Sequence, residues 1–293
     1  MRSAIAGSDP AAPAPRYALV MIQELADQDY HFDPADPRAP SMEQWNRMTL
    51  AERARVVAML PSEVPLELVP PEGDPHWAAK VDARRTLEAF FHRIGRKIYL
   101  SSELAVFYPS EPTFAPDVLA VADVDPHPRT KWVVADEGKG LDLVIEVHFA
   151  GHASKDYVAN VERYARLGIR EYFVFDCKRL RLHGHRLPDA RARTYQPLVP
   201  QKAMFASEVL GLELAIDGSK LRFLYGGAAV PEAEEMIDRL ESMLATVTAH
   251  REDAERLAQA EADRASMLEL RLTEMERKLA EAQAEIERLK HRG

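Results

Sequence analysis

Residues 116–121 read PDVLAV and residues 141–147 read LDLVIEV. Each is a short, almost continuous apolar run, without the alternation expected of a strand that has one face in water. Continuous runs of this length are typical of strands that are buried on both faces of a sheet and covered by helices. They therefore predict two neighbouring interior strands of an α/β domain.

One carboxylate stands at a defined place in each run. Asp117 follows Pro116 at the start of the first, and Glu146 lies near the end of the second. Burying a carboxylate among apolar side chains is costly unless the group is paired or bound to a metal. Two such groups on neighbouring strands can hold one divalent cation, which would activate water and stabilise charge on a phosphate. The alternative for either residue alone is a strand-end acid that meets solvent or an arginine, and for a lone acid this alternative is favoured.

Helix-like and strand-like segments surround these two runs. Further predicted elements are a helix over residues 76–94, strand-like residues 97–107, a helix over residues 157–167 and a buried strand over residues 171–176. Residues 179–187 alternate on either side of Gly184, which predicts a hairpin with its turn at that glycine and with His183 and His185 exposed. This order predicts a mixed sheet flanked by helices.

Prolines and changes in periodicity divide the chain into three predicted parts. Residues 1–73 are expected to form an N-terminal arm, with one helix over residues 41–60 that Ser41 caps and then a proline-rich linker. Residues 74–230 form the α/β domain, and residues 231–293 form a coiled coil.

The C-terminal segment carries the strongest periodic signal in the chain. Residues 232–292 contain neither Gly nor Pro, and fourteen of the sixteen core positions of one heptad register are apolar. A helix of this length would reach about 90 Å at 1.5 Å per residue. Its apolar seam predicts a homodimer, in parallel or antiparallel orientation. The a positions are Ile237, Leu244, Arg251, Ala258, Ala265, Leu272, Leu279 and Ile286, and the d positions are Leu240, Val247, Ala254, Glu261, Leu268, Met275, Ala282 and Leu289.

Composition narrows the class of protein. The single cysteine, Cys177, excludes an intramolecular disulfide and a cysteine-based zinc site, and no segment is apolar enough to span a bilayer. We therefore expect a cytoplasmic protein.

The net charge is −9, yet residues 151–200 hold 10 basic and 5 acidic residues. This basic region could attract a phosphate backbone, and a plain solvated surface is an equally good interpretation.

Pro116-Asp117 followed by Glu146-Val147-His148 resembles the PD-(D/E)xK nuclease pattern. The residues that follow resemble the restriction endonuclease family named Uma-two. They are Lys155-Asp156, Tyr164, Gly168-Ile169, Glu171-Tyr172-Phe173 and Asp176. The resemblance implies a restriction-endonuclease-like fold, Mg²⁺ or Mn²⁺ bound by Asp117 and Glu146, and cleavage of nucleic acid, with DNA as the expected substrate. It also implies a lysine that orients water or a phosphate.

This chain departs from the family pattern at that lysine. His148 stands two residues after Glu146, and Asn160 stands four residues before Tyr164, at the two places where the pattern puts a lysine. The nearest lysine is Lys155, so the predicted catalytic set is Asp117, Glu146 and Lys155. The alternative is a non-catalytic binding or assembly module on the same fold. Tyr164 and Tyr172 are expected to pack in the core. His148 and His152 lie four residues apart, but two histidines without cysteine ligands are a weak signal for zinc.

Overall fold

The computed structural model describes residues 30–64, 73–149 and 155–290. The chain divides into two compact units, Met1–Val230 and Pro231–Gly293. The helices are α1 (Met42–Arg47), α2 (Leu50–Met59), α3 (Asp74–Ile94), α4 (Val134–Glu137), α5 (Asn160–Arg166) and α6 (Ala233–Lys290), and a π-helical turn over Lys155–Ala159 precedes α5. The strands are β1 (Ile98–Ser101), β2 (Val106–Phe107), β3 (Val118–Ala122), β4 (Trp132–Val133), β5 (Leu143–His148), β6 (Glu171–Asp176), β7 (Arg181–Arg186), β8 (Gln196–Pro197), β9 (Phe205–Ser207), β10 (Leu212–Asp217), β11 (Lys220–Tyr225) and β12 (Ala228–Ala229).

The central sheet of the first unit has six strands in the described residues, in the order β1-β3-β5-β6-β7-β8. Strands β5 and β6 are parallel, and the other neighbouring pairs are antiparallel. The crossover from β5 to β6 runs through the π-helical turn and α5. A second sheet, β12-β11-β10-β9, and the short parallel pair β2-β4 complete the strands. The prediction of a mixed sheet flanked by helices and followed by a long C-terminal helix is confirmed.

The two apolar runs form the sheet's interior as predicted. All residues of β3 and β5 are buried, and Val118 pairs with Ile145. Residues of β5 alternate between two apolar clusters: Ile145 packs with Leu87 and Phe91 of α3, whereas Val144 packs in the cluster that contains Tyr164. The absence of sequence alternation therefore reflects a core on each face of the sheet.

The predicted hairpin at Gly184 is wrong. Residues 181–186 form one continuous strand, β7, in which Gly184 faces Phe173 of β6. The Phe173 ring occupies the space that a side chain at this position would need, because a Cβ on Gly184 would lie 2.8 Å from Phe173 Cε1. The glycine thus marks a close approach between strands, and the reversal of the chain lies between β6 and β7. Of the two flanking histidines, His183 is exposed and His185 is half-buried.

The predicted helix over residues 41–60 is two helices. Ser41 caps α1 as expected, and its side chain and that of Gln44 form a capping box. Thr49 begins α2 with a second capping box to Glu52. Because the Thr49 side chain accepts a hydrogen bond from the first turn of the following residues, a new helix begins there. Trp45 of α1 is buried in a third apolar cluster, with Phe107 and Val133.

The second unit is the helix α6, which covers 58 residues. Seam residues of the predicted coiled coil, such as Leu244, Leu272 and Ile286, are more than half exposed. Pairing of this helix stays a prediction. Among the described residues, no helix has the length and apolar character needed to cross a membrane.

Candidate active site

The pairing of β3 with β5 brings Asp117 and Glu146 together. The main-chain N–H of Asp117 donates a hydrogen bond to Oε2 of Glu146 over 3.1 Å. In return, the N–H of Val147 donates to Oδ2 of Asp117 over 2.8 Å. Each carboxylate thus accepts a hydrogen bond from the backbone of the segment that carries the other. The sequence predicted both residues, and the structure places them side by side.

Tyr164 of α5 completes the setting of Glu146. Its hydroxyl donates to Oε1 of Glu146 over 2.6 Å, so both carboxyl oxygens accept a hydrogen bond. The ring is buried and packs edge-on against Tyr172. Tyr164 is therefore a core residue, as expected, and it also orients a carboxyl group of the candidate site.

The two carboxyl groups differ in proton affinity. Burial raises the pKa of Glu146 well above its usual range, and the negative charge of Asp117 raises it further. Burial also acts to raise the pKa of Asp117, but the hydrogen bond and charge of His76, the N–H of Val147 and the charge of Lys80 together bring that pKa below its ordinary value. Asp117 is therefore the more acidic member of the pair.

Two side chains of α3 that sequence reasoning missed reach Asp117. His76 Nε2 lies 3.2 Å from Oδ2, and Lys80 Nζ lies 3.8 Å from Oδ1. Both residues are buried and lie four apart, on one face of the helix. A signal was present in the sequence, because His76 and Lys80 continue the buried stripe that Ala83 and Leu87 form one and two turns later. Polar residues in line with an apolar stripe indicate buried partners.

The two positions that carry a lysine in the family pattern hold other groups here, and both contact Asp156. His148 Nδ1 lies 2.9 Å from Oδ2 of Asp156, and the Asn160 amide donates to Oδ1 over 3.4 Å. Both His148 and Asn160 are buried. Lys155, the lysine that the sequence prediction assigned to the site, is exposed at the start of the π-helical turn. Its part in catalysis stays a prediction. His152 lies outside the described residues.

The donor set suits a hard divalent cation. Mg²⁺ takes oxygen ligands, uses one or two protein carboxylates and keeps several waters. Within the ranges that the structure describes, no group of three or more His, Cys, Asp or Glu side chains is placed to hold a metal ion. A cation held by Asp117 and Glu146 alone would need water and substrate oxygens as its other ligands.

Comparisons with known proteins identify the family of this chain. The chain matches no curated protein. It is similar to a crystal structure from Anabaena variabilis that is described as a putative nuclease belonging to DUF820, with 11% sequence identity and a TM-score of 0.38. The match covers 48% of this chain and 76% of that one.

The family model Uma2, described as "Putative restriction endonuclease", matches residues 46–217. Restriction-endonuclease-like families generally use divalent metals. Because that model spans more than half of the sequence, the chain belongs to the Uma2 family, the family named Uma-two above.

Proposed function

We propose that this protein hydrolyses phosphodiester bonds of DNA with the help of Mg²⁺ or Mn²⁺. The observation that carries the proposal is the carboxylate pair of Asp117 and Glu146, fixed by reciprocal backbone hydrogen bonds across β3 and β5. Family membership supports a nuclease-like activity. The choice of metal, the choice of DNA as substrate and the roles of the residues go beyond what family membership supports.

In this proposal Asp117 and Glu146 hold the cation, which would supply an activated water and neutralise charge on the phosphate. The pKa of Asp117 is lowered and that of Glu146 is raised, so Asp117 is the more acidic of the two proposed ligands. The hydroxyl of Tyr164 and the N–H of Val147 keep the carboxyl groups in place. Lys155 would orient the attacking water or neutralise charge on the phosphate.

Binding of DNA would rest on the basic stretch of the middle of the chain. Arg166 and Arg179 each pair with one carboxylate and leave 59% and 61% of their side chains accessible. Such side chains attract a phosphate backbone without reading its sequence. Location in the cytoplasm stays a prediction.

The test compares metal binding with hydrolysis. Isothermal titration with Mn²⁺ should show binding that Asp117→Ala combined with Glu146→Ala removes. The matched control is Asp125→Ala, because Asp125 is an exposed acid paired with Lys97. Cleavage of plasmid DNA should require the cation and should be lost in Asp117→Asn, which keeps the shape of the side chain. Unchanged Mn²⁺ binding in the double variant would remove the metal site.

The second candidate is a non-catalytic module that binds or assembles through the same fold. The observation that favours it is the replacement of lysine by His148 and Asn160, both engaged with Asp156. Metal binding without any cleavage that depends on Asp117 would support this function over hydrolysis.

We also propose that α6 assembles a homodimer. Its exposed seam would leave a long apolar stripe in water, and each fully buried side chain contributes about 1.5–3 kcal/mol. Sedimentation equilibrium should report a dimer that Leu244→Glu with Leu272→Glu dissociates. The control is Thr246→Glu with Thr273→Glu, because these residues lie on the same helix outside the seam. A monomeric wild-type protein would refute the proposed assembly.

A further inference from the structure

Lys80 is a buried lysine in contact with the candidate site. Its side chain is 6% exposed, and burying an ammonium group is costly unless negative partners surround it. Its partners are Glu103, with which it forms a hydrogen-bonded ion pair, and Asp117, whose Oδ1 lies 3.8 Å from Nζ. The hydrogen bond to Glu103 uses one of the three N–H donors of the ammonium. The distance to Asp117 is longer than a hydrogen bond.

Glu103 adopts a backbone conformation that is rare for a residue with a side chain. Its φ angle is 51°, in the left-handed region. The N–H of Glu103 donates to the carbonyl of Pro116, the residue before Asp117, over 2.9 Å. Conformations of this kind persist where the surroundings over-determine them, and they cluster at functional sites. Here the turn ties the partner of Lys80 to the segment that carries Asp117.

We infer that Lys80 is a second cationic catalytic residue of this site, in addition to Lys155, and that Glu103 positions it. The inference rests on the proposed phosphodiester hydrolysis. A buried ammonium beside the metal-binding carboxylate can donate a hydrogen bond to a phosphate oxygen as negative charge develops there. It comes from α3, whereas His148 and Asn160 bond to Asp156 and bring no lysine.

The reaction balances with water as the nucleophile. The water oxygen forms a bond to phosphorus, and the ester bond to the leaving oxygen breaks. One water proton passes to the leaving oxygen and the other stays on the phosphate monoester. Lys80 takes no part in this proton transfer and stabilises the transition state by its charge and hydrogen bond.

The test uses the full chain and two matched lysines. Lys80→Met should lower kcat for plasmid cleavage about 100- to 1000-fold, the range for loss of one transition-state donor, with KM for DNA changed less than about threefold. Lys139→Met is the control, since Lys139 is also ion-paired with a carboxylate, Asp142, but at the opposite end of β3. It should cleave like the wild type. Lys80→Arg keeps the charge and should recover part of the loss.

A second readout separates catalysis from simple charge neutralisation. Titration with Mn²⁺ should show that Lys80→Met binds the cation at least as tightly as the wild type, because a positive charge beside Asp117 has been removed. Glu103→Gln should slow cleavage about tenfold, and the double variant should be no slower than Lys80→Met, since Glu103 acts through Lys80.

Two outcomes would overturn the inference. One is a wild-type kcat in Lys80→Met, whatever its affinity for Mn²⁺, which would make Lys80 a counter-ion only. The other is a wild-type rate in Glu103→Gln combined with a rate in Lys80→Arg that is as low as the rate of Lys80→Met. Should Lys80→Met fail to fold by tryptophan fluorescence, Lys80→Arg and Glu103→Gln still decide. Cleavage that persists in Asp117→Asn would instead refute the proposed function itself.

Discussion

Glu171 is a carboxylate whose removal should destabilise the α/β unit strongly. It lies at the start of β6 with 1% of its surface exposed. Arg186 Nε donates to Oε1 over 2.8 Å, and the N–H of Glu208 donates to the same atom over 2.8 Å. The other oxygen accepts from the Ser207 hydroxyl and from the N–H of Val209. One side chain thus fastens the central sheet to the segment that begins the second sheet.

The expected magnitude follows from these contacts. Glu171→Ala leaves three donors, the Ser207 hydroxyl and two main-chain N–H groups, without their acceptor and removes the most deeply buried partner of the Arg186 guanidinium. Breaking a buried pair in this way costs about 3–5 kcal/mol, a large share of the roughly 5–15 kcal/mol that stabilises a typical domain. Arg186 also pairs with Glu208, whose side chain is 61% exposed. Glu208→Ala should therefore cost at most about 1 kcal/mol.

Urea denaturation followed by tryptophan fluorescence measures this difference. The three tryptophans lie at positions 45, 77 and 132, so the signal reports on the first unit and not on α6. The reasoning is refuted if Glu171→Ala unfolds within 1 kcal/mol of the wild type, or if Glu208→Ala is as destabilising as Glu171→Ala.

Two further predictions concern β7. Gly184→Ala should lower the free energy of unfolding by about 1–3 kcal/mol, because the new Cβ would lie 2.8 Å from the Phe173 ring; an unchanged urea midpoint would contradict this account. Burial, helped by the charge of His183, lowers the pKa of His185 below its ordinary 6.5. The unfolded chain then binds this proton more readily, so stability should fall as pH drops below about 6.5. In His185→Gln, urea midpoints at pH 7.5 and 5.5 should differ less than in the wild type, and an equal difference would exclude His185 as a source of acid sensitivity.

Strand identity and the long helix could be predicted from the sequence because their signals are local. The run that begins at residue 116 became β3, and the run at residues 171–176 became β6 at those bounds, since continuous apolar residues have no stable place outside a two-sided core. The heptad pattern became one uninterrupted helix, α6, because it contains no Gly or Pro. Asp117 and Glu146 stood out for the same reason, as charged groups in segments that had to be buried.

The roles of other residues depend on which distant segments meet in the tertiary structure. In the sequence alone, Gly184 indicates a turn. Only the ring of Phe173 on the neighbouring strand explains why this position has no side chain. Glu171 looked like part of a family pattern, and its contacts with Ser207 and Arg186 make it a structural anchor. The sequence by itself identified the two carboxylates, but Lys80 reaches Asp117 from a helix 37 positions earlier in the chain. Periodicity can indicate that Lys80 is buried but not that it meets Asp117, because the packing of α3 against the sheet, and not spacing along the chain, sets which polar groups share the interior.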